Sequence, residues 1–247
     1  MGVCSRSEAG QLVAAGRVAV NGRVVRDPET RIVPERDSIE VDGTRVHAVA
    51  RICIAVNKPR GLLVTASDEQ GRETVYSLLR DAALPWLAPV GRLDKASEGL
   101  LLMSNDPAWA AHISDPAGHV AKTYRVQVVG NPDPAALERM RSGIRDRGEM
   151  LAAATVRRVG GGAKNTWLEI VLTEGRNRQI RRMLAACGYG VLRLLRIAIG
   201  PLRLGDLPKG AWRVLSDAEV RTLLPGTPHP PREMLRRPAP RRPPTSR

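Results

Sequence analysis

The chain has 247 residues with 39 Lys or Arg against 25 Asp or Glu, which gives a formal net charge of +14 at pH 7. This charge favours a polyanionic partner, nucleic acid first, and a hydrophobic content of 43% is ordinary for a globular protein. No apolar run approaches a membrane span, no signal-peptide pattern opens the chain, and the three Cys and four His lack metal-ligand spacing.

Residues 1–46 predict a small unit made of a helix and a β-hairpin. Ser5 and Glu8 have the spacing of a capping box, and Gly16 can end the helix that follows. The alternating segment 17–25 contains an Asn-Gly turn, which is typical of a hairpin, and residues 38–43 predict one more strand.

Four arginines, Arg6, Arg17, Arg23 and Arg26, surround the predicted junction of helix and hairpin, and Arg6, Arg17 and Arg23 are expected to contact RNA. A unit of fewer than 50 residues has a weak core, so a docking function on RNA is a better expectation than catalysis. Residues 47–51 are expected to be a linker to the main domain, 52–224.

The main domain mixes predicted strands and helices without a regular βαβ order, which favours an α+β fold over a doubly wound sheet. A polar turn, 57–61, follows the first strand, and the glycines at 160–162 predict a flexible loop. Strands are predicted at 52–56, 100–103, 122–129 and 167–173, and helices at 73–81, from Asp106-Pro107 onward and at 134–140.

A basic helix is predicted within 174–188, with Asn177 as its cap and Gly188 at its end. Its apolar residues, 180, 183, 184 and 187, share one face, and Arg178 and Arg182 point away from that face toward solvent or phosphate. Arg181 lies at the boundary, where it either pairs with a partly buried carboxylate or extends its head to solvent.

Asp94 stands between Arg92 and Lys95 in a short polar loop before the buried strand at 100–103. Rigid loops of this kind often carry catalytic groups, although an Asp in a loop is more often a simple turn residue. Tyr124 is open to the same two interpretations, as an active-site residue or as a core aromatic with a satisfied hydroxyl.

These segments together resemble the ribosomal RNA pseudouridine synthases that act on single sites in small- or large-subunit RNA. The resemblance rests on four motifs in the family's order: Asn57-Lys58-Pro59, Gly91-Arg92-Leu93-Asp94 with Ser97–Leu102, Lys122-Thr123-Tyr124, and Glu174–Met183. It covers about residues 52–216. The first 46 residues resemble an RNA-binding module shared with a small-subunit ribosomal protein, apparently without that module's first helix.

The resemblance implies an enzyme that isomerises uridine to pseudouridine on a mixed, largely antiparallel sheet with flanking helices, without cofactor or metal. Asp94 matches the nucleophile or base, Arg181 its pairing residue, and Tyr124 the active-site tyrosine. The target uridine is expected to flip out of its stack. Arg92, Lys58, Arg176 and Arg178 are expected to contact RNA, mainly its phosphates.

Two other functions remain compatible with parts of the sequence. A non-catalytic RNA-binding or ribosome-assembly protein would explain the charge, but it would not need Asp94, Tyr124 and Arg181 together. A DNA-binding regulator would need a recognition-helix unit, which is not evident. Residues 225–247, with eight Pro and six Arg, predict a disordered basic tail, and a cytoplasmic monomer that binds ribosomal RNA is the default expectation.

Overall fold

The computed structural model describes residues 4–33, 36–47, 49–118, 120–162 and 164–224, so the predicted basic tail lies outside the described residues. The N-terminal part holds one helix and a small sheet in the order β2-β1-β3-β4. Its elements are α1 (Arg6–Ala14), β1 (Val18–Val20), β2 (Arg23–Val25), β3 (Ile39–Val41) and β4 (Thr44–Arg45).

The predicted helix and hairpin of this part are confirmed. The Ser5 hydroxyl accepts a bond from the Glu8 amide at 3.2 Å and so caps α1, and Gly16 follows the helix with a φ of +71°. Asn21 and Gly22 both have positive φ values, 51° and 76°, as the tight turn between twisted antiparallel strands requires.

The rest of the described chain contains eleven strands, four helices and two short 3-10 helices. In chain order these are β5 (Cys53–Lys58), a 3-10 helix (Val75–Leu79), β6 (Ala88–Val90), β7 (Glu98–Ser104), α2 (Pro107–Ser114), a 3-10 helix (Pro116–Gly118), β8 (Lys122–Val129), α3 (Pro134–Ser142), β9 (Ile144–Asp146), β10 (Glu149–Leu151), β11 (Thr155–Gly161), β12 (Asn165–Leu172), α4 (Gln179–Ala186), β13 (Val191–Ile199), β14 (Leu202–Arg203), β15 (Trp212–Val214) and α5 (Asp217–Thr222).

Nine of these strands, all within the described ranges, form one sheet in the order β11-β12-β8-β13-β7-β5-β15, with β6 beside β7 and β14 beside β13. Every pairing is antiparallel except that of β13 with β7. The predicted α+β class with a mixed, largely antiparallel sheet is therefore confirmed. No helix among the described residues is long and apolar enough to cross a membrane.

The one parallel pairing joins two halves of the sheet through only two residue pairs, Leu195 with Glu98 and Arg196 with Gly99. A side chain at Gly99 would overlap the backbone of Arg196, and its φ of +100° favours glycine. The backbones meet closely here and separate on either side. This narrow junction allows a cleft to open between the halves.

Apolar side chains pack on both sides of the half that contains β5 and β7. Leu100 and Leu102 face a cluster with α2 and α5, whereas Leu101 and Met103 face the segment around Val75. The other half packs Val126, Val128 and other residues of β8, β12 and β13 against α3 and α4. The strand prediction for 100–103 is confirmed, and all seven residues of β7 are buried.

Several boundaries differ from the sequence predictions. Asn57 and Lys58 were predicted in a turn, but they are the buried end of β5. The predicted helix at 73–81 is only the 3-10 turn Val75–Leu79. Gly160 and Gly161 belong to β11, next to a bulge, and are therefore not a free loop.

Candidate active site

Asp94 lies in the loop between β6 and β7 and lines the cleft between the two halves of the sheet. The loop turns sharply, because the Ser97 amide donates to the Asp94 carbonyl at 2.9 Å. It is also tied to the turn after β5 by a bond from the Gly61 amide to the Lys95 carbonyl at 2.8 Å. The Asp94 side chain keeps 35% of its surface exposed, so a ligand in the cleft can reach the carboxylate.

Lys58 supports this loop from inside the protein. Its ammonium donates to the carbonyls of Ser97, Pro59 and Asp94 at 2.8, 3.1 and 3.3 Å, and its side chain is fully buried. Burial lowers the pKa of Lys58 from 10.5 to about 8, against the opposing charges of Asp94 and Glu98. The predicted RNA contact of Lys58 is therefore wrong, because the side chain does not reach the surface.

Arg178 lies closer to Asp94 than the predicted partner, Arg181. An Arg178 guanidinium nitrogen stands 4.0 Å from the Asp94 carboxylate, whereas Arg181 donates to the Ala96 carbonyl at 3.3 Å. Arg181 has no ion pair with Asp94 in the described part of the chain, so the predicted direct pairing is wrong. The two helix arginines instead hold the loop at its carboxylate and at its backbone.

Burial lowers the pKa of Arg181, and the positive charge of Arg178 adds to this effect. The negative charge of Asp94 raises the pKa of Arg181, so the carboxylate acts on the guanidinium although the two form no ion pair. The buried Nε of Arg181 has no hydrogen-bond partner among the described residues. Arg181 thus remains a cation aimed at the loop, although its contact is with the backbone.

The start of α4 explains why the predicted geometry of these arginines is wrong. Arg178 occupies the N-cap position in a left-handed conformation, φ +48°, and no side chain caps the helix, so the predicted Asn177 cap is wrong. The solvent exposure predicted for Arg182 is wrong as well, because the hairpin of β9 and β10 covers its side of α4. Arg182 pairs with Asp146 at 2.5 Å and with Glu149 at 2.6 Å on that hairpin.

Tyr124 stands on the wall of the same cleft, at the third position of β8. It packs against the apolar clusters of both halves of the sheet, so it spans the junction between them. The structure therefore brings Tyr124 together with Asp94, Arg178 and Arg181 around one cavity of about 840 Å³. A cavity of this size is in the range that holds a small ligand or a single nucleotide.

Two cations of the cleft were not singled out from the sequence. Lys122 precedes Tyr124 by two positions, and period-2 alternation could have placed both on one face of β8. Arg196, 4% exposed, lies opposite Tyr124 in the neighbouring strand β13. No sequence signal reveals that pairing, because the two strands are more than 60 residues apart in the chain.

The remaining predicted RNA contacts lie at the rim or in the N-terminal part. Arg92 is exposed beside Asp94, and Arg176 is exposed but bonded to Glu174 and Glu149, each at 3.0 Å. Arg6 and Arg23 are exposed, and Arg17 pairs with Asp42 at 2.5 Å. No group of three or more His, Cys, Asp or Glu within the described ranges could hold a metal ion.

The family model of RNA pseudouridylate synthases matches residues 52–186, which contain Asp94, Tyr124 and Arg181. The chain belongs to the RNA pseudouridylate synthase family. It is therefore an enzyme of uridine isomerisation in RNA, and the expectation drawn from the four motifs is confirmed. The S4 domain model matches residues 1–37, so an RNA-binding module of that type precedes the synthase part.

Curated relatives cover nearly the whole chain. An uncharacterized RNA pseudouridine synthase of Aquifex aeolicus is 41% identical over 223 residues, 90% of this chain and 89% of that protein. The ribosomal large subunit pseudouridine synthase B of Escherichia coli K12 is 36% identical, covering 89% and 77%. A solved pseudouridylate synthase superposes with a TM-score of 0.64 at 29% identity, covering 89% of this chain and 94% of that one.

Proposed function

We propose that this synthase converts a uridine of large-subunit ribosomal RNA to pseudouridine, with Asp94 as the nucleophile or base. The observation that carries the proposal is the Asp94 loop, which presents a reachable carboxylate to a cleft beside Tyr124. The choice of large-subunit RNA rests on the relatives named for that subunit, which align with about nine-tenths of this chain.

The reaction moves the uracil from a nitrogen link to a carbon link on the same ribose. The bond from C1′ to N1 breaks, the base turns within the cleft, and a bond from C1′ to C5 forms. The proton on C5 leaves, and N1 gains one, so atoms and electrons balance without a redox partner. Asp94 acts at the ribose or the base, and Tyr124 packs against the uracil during the turn.

A uridine reaches Asp94 only if it leaves the base stack, because the carboxylate lies inside the cleft. Arg92 and Arg178, both exposed near the mouth, are placed to bind phosphates or the position that the base has left. Arg176 is less available to bind a phosphate, because it already forms ion pairs with two carboxylates. Arg181 positions the loop through the Ala96 carbonyl.

The S4-type module, assigned to residues 1–46, docks the RNA in this account, and residues 52–224 carry out the chemistry. Arg6 and Arg23 are exposed and form no ion pair among the described residues, whereas Arg17 shares its charge with Asp42. Phosphate contacts of this kind fix register and carry little sequence information. A cytoplasmic enzyme that acts as a monomer on ribosomal RNA is consistent with this division.

Mapping of pseudouridines in both ribosomal RNAs tests the proposal. A strain that lacks the gene should miss one pseudouridine in large-subunit RNA. The full chain should restore it, and the Asp94→Asn chain should not. A site missing only from small-subunit RNA would move the substrate to that subunit. A complete set of pseudouridines in the deletion strain would refute an activity on ribosomal RNA.

A further inference from the structure

One buried and one half-buried cation lie on the wall of the cleft, and neither forms an ion pair within the described residues. Arg196 is 4% exposed, and its Nε donates to the Leu100 carbonyl at 2.7 Å, but its Nη2 has no partner within the described ranges. Lys122 donates to the Ile113 carbonyl at 3.1 Å from a half-buried position. Both side chains line the cavity that contains Asp94.

The two cations flank Tyr124. Arg196 pairs with Tyr124 in the register of β13 and β8, and Lys122 is two residues before Tyr124 on the same face of β8. Burial lowers the pKa of Lys122, and the positive charge of Arg196 adds to this effect. The two side chains thus place two positive charges on the cleft wall beside Tyr124.

The acidic residues of the cleft do not neutralise this pair. Asp68 pairs with Arg72 at 2.6 Å, Glu174 with Arg176 at 3.0 Å, and Asp94 faces Arg178 at 4.0 Å. Glu69 is exposed and forms no ion pair with either cation among the described residues. In the described part of the chain neither Lys122 nor Arg196 forms an ion pair. Burying like charges without a partner is costly, so the arrangement predicts an anion that occupies the space in front of them.

The anion is the uracil base, which carries a negative charge for part of the reaction. This identification rests on the proposed function. When the bond from C1′ to N1 breaks, its electron pair stays on N1, and the negative charge spreads onto the O2 and O4 atoms of the uracil. Addition of Asp94 to C6 of the uracil would place negative charge on one of these oxygens, O4. The RNA phosphates, in contrast, are expected to bind the exposed arginines at the mouth of the cleft.

We propose that Lys122 and Arg196 bind the uracil oxygens and stabilise the negative charge that the base carries during its transfer. Donors of this type act on charge that develops in the transition state, so they raise the rate more than the affinity. They are thus two further catalytic residues, distinct from Asp94 and from the phosphate contacts at the rim.

Lys122→Met tests the inference, because it removes the charge and keeps a similar side-chain volume at a half-buried site. The single-turnover rate on large-subunit RNA transcript should fall about 10²-fold, as for loss of one transition-state donor. The dissociation constant of the RNA should stay within about twofold. Lys122→Arg should recover most of the rate. Arg125→Met, an exposed cation on the opposite face of β8, is the matched control and should behave as wild type.

Other outcomes separate this inference from its rivals. If Lys122→Met weakens RNA binding and lowers the salt slope by about one at an unchanged rate constant, the pair binds a phosphate and the inference is wrong. A wild-type rate in a folded Lys122→Met also overturns it, while Asp94→Asn still tests the proposed function. Arg196→Lys, which keeps the charge, should retain more rate than Arg196→Met, and equal rates in these two variants would contradict the role given to Arg196.

Discussion

Replacement of Lys58 by Met tests whether a buried ammonium holds the catalytic loop. The change keeps an unbranched apolar stem and removes the donor that reaches the carbonyls of Ser97, Pro59 and Asp94 at 2.8, 3.1 and 3.3 Å. Because β5 ends at Lys58 and the loop precedes β7, this one side chain joins two strands to the active site. Its loss should change the position of Asp94 more than the fold.

The expected loss of stability in Lys58→Met depends on which of the three carbonyls water can reach. Ser97 is 2% exposed, so its carbonyl would lose its donor without replacement, whereas Pro59 and Asp94 are partly exposed. An unsatisfied buried acceptor costs about 1–3 kcal/mol. We expect a loss of about 2 kcal/mol, which lowers the melting temperature of a chain of this length by about 4–8 °C. A loop displaced by ~1 Å would lower the rate about 10²-fold.

Thermal unfolding followed by circular dichroism and single-turnover pseudouridine formation measure the two effects on the same preparation. Lys164→Met is the matched control, because Lys164 is exposed on the hairpin of β11 and β12 and should give wild-type values. If Lys58→Met melts at the wild-type temperature and reacts at the wild-type rate, the loop does not depend on the ammonium and the reasoning is refuted.

Three further predictions concern pH, packing and RNA contacts. The folded pKa of Lys58, about 8, lies below its usual 10.5, so the folded state binds fewer protons in that window. The stability of wild type relative to Lys58→Met should therefore rise from pH 8 to 10.5 by up to about 1.4 kcal/mol per unit, and a constant difference in denaturant titrations would contradict this. Gly99→Ala should lower the free energy of unfolding by at least about 3 kcal/mol, because the added methyl group overlaps the Arg196 backbone. Gly10→Ala, which has open space around it, is the control and should leave stability unchanged or raise it. Equal melting temperatures for the two variants would disprove the close approach of β7 and β13 at Gly99. Arg178→Met should weaken RNA binding and lower its salt slope by about one, and an unchanged slope in binding titrations would remove Arg178 from the phosphate contacts.

The sequence predicted correctly those elements whose hydrogen bonds and burial depend on residues close together in the chain. The β8 strand was predicted with its observed ends because its alternation reports one buried and one open face. The cap at Ser5 is a local hydrogen bond and formed as expected, and Asp106 likewise accepts from the Trp109 amide at the start of α2. The four ordered motifs also identified the family, because each motif preserves its chemistry at fixed spacing.

Long-range contacts explain what the sequence could not predict. Polar residues at a strand end indicate a turn, but Lys58 stays buried because the Asp94 loop, 36 residues later, supplies acceptors. Helical periodicity placed Arg182 toward solvent, and the hairpin of β9 and β10 covers that side with Asp146 and Glu149. The left-handed entry at Arg178 then brings that residue, rather than Arg181, to the Asp94 carboxylate.

The most direct measurement of the central claim is single-turnover pseudouridine formation by Asp94→Asn, with RNA binding measured on the same protein. The amide keeps the shape of the side chain, so RNA affinity should stay within about threefold while the rate falls by at least about 10⁴-fold. Asp206→Asn, an exposed change in the loop before β15, should keep both values. An Asp94→Asn protein that forms pseudouridine within about tenfold of the wild-type rate would contradict the assignment of Asp94 as the catalytic carboxylate.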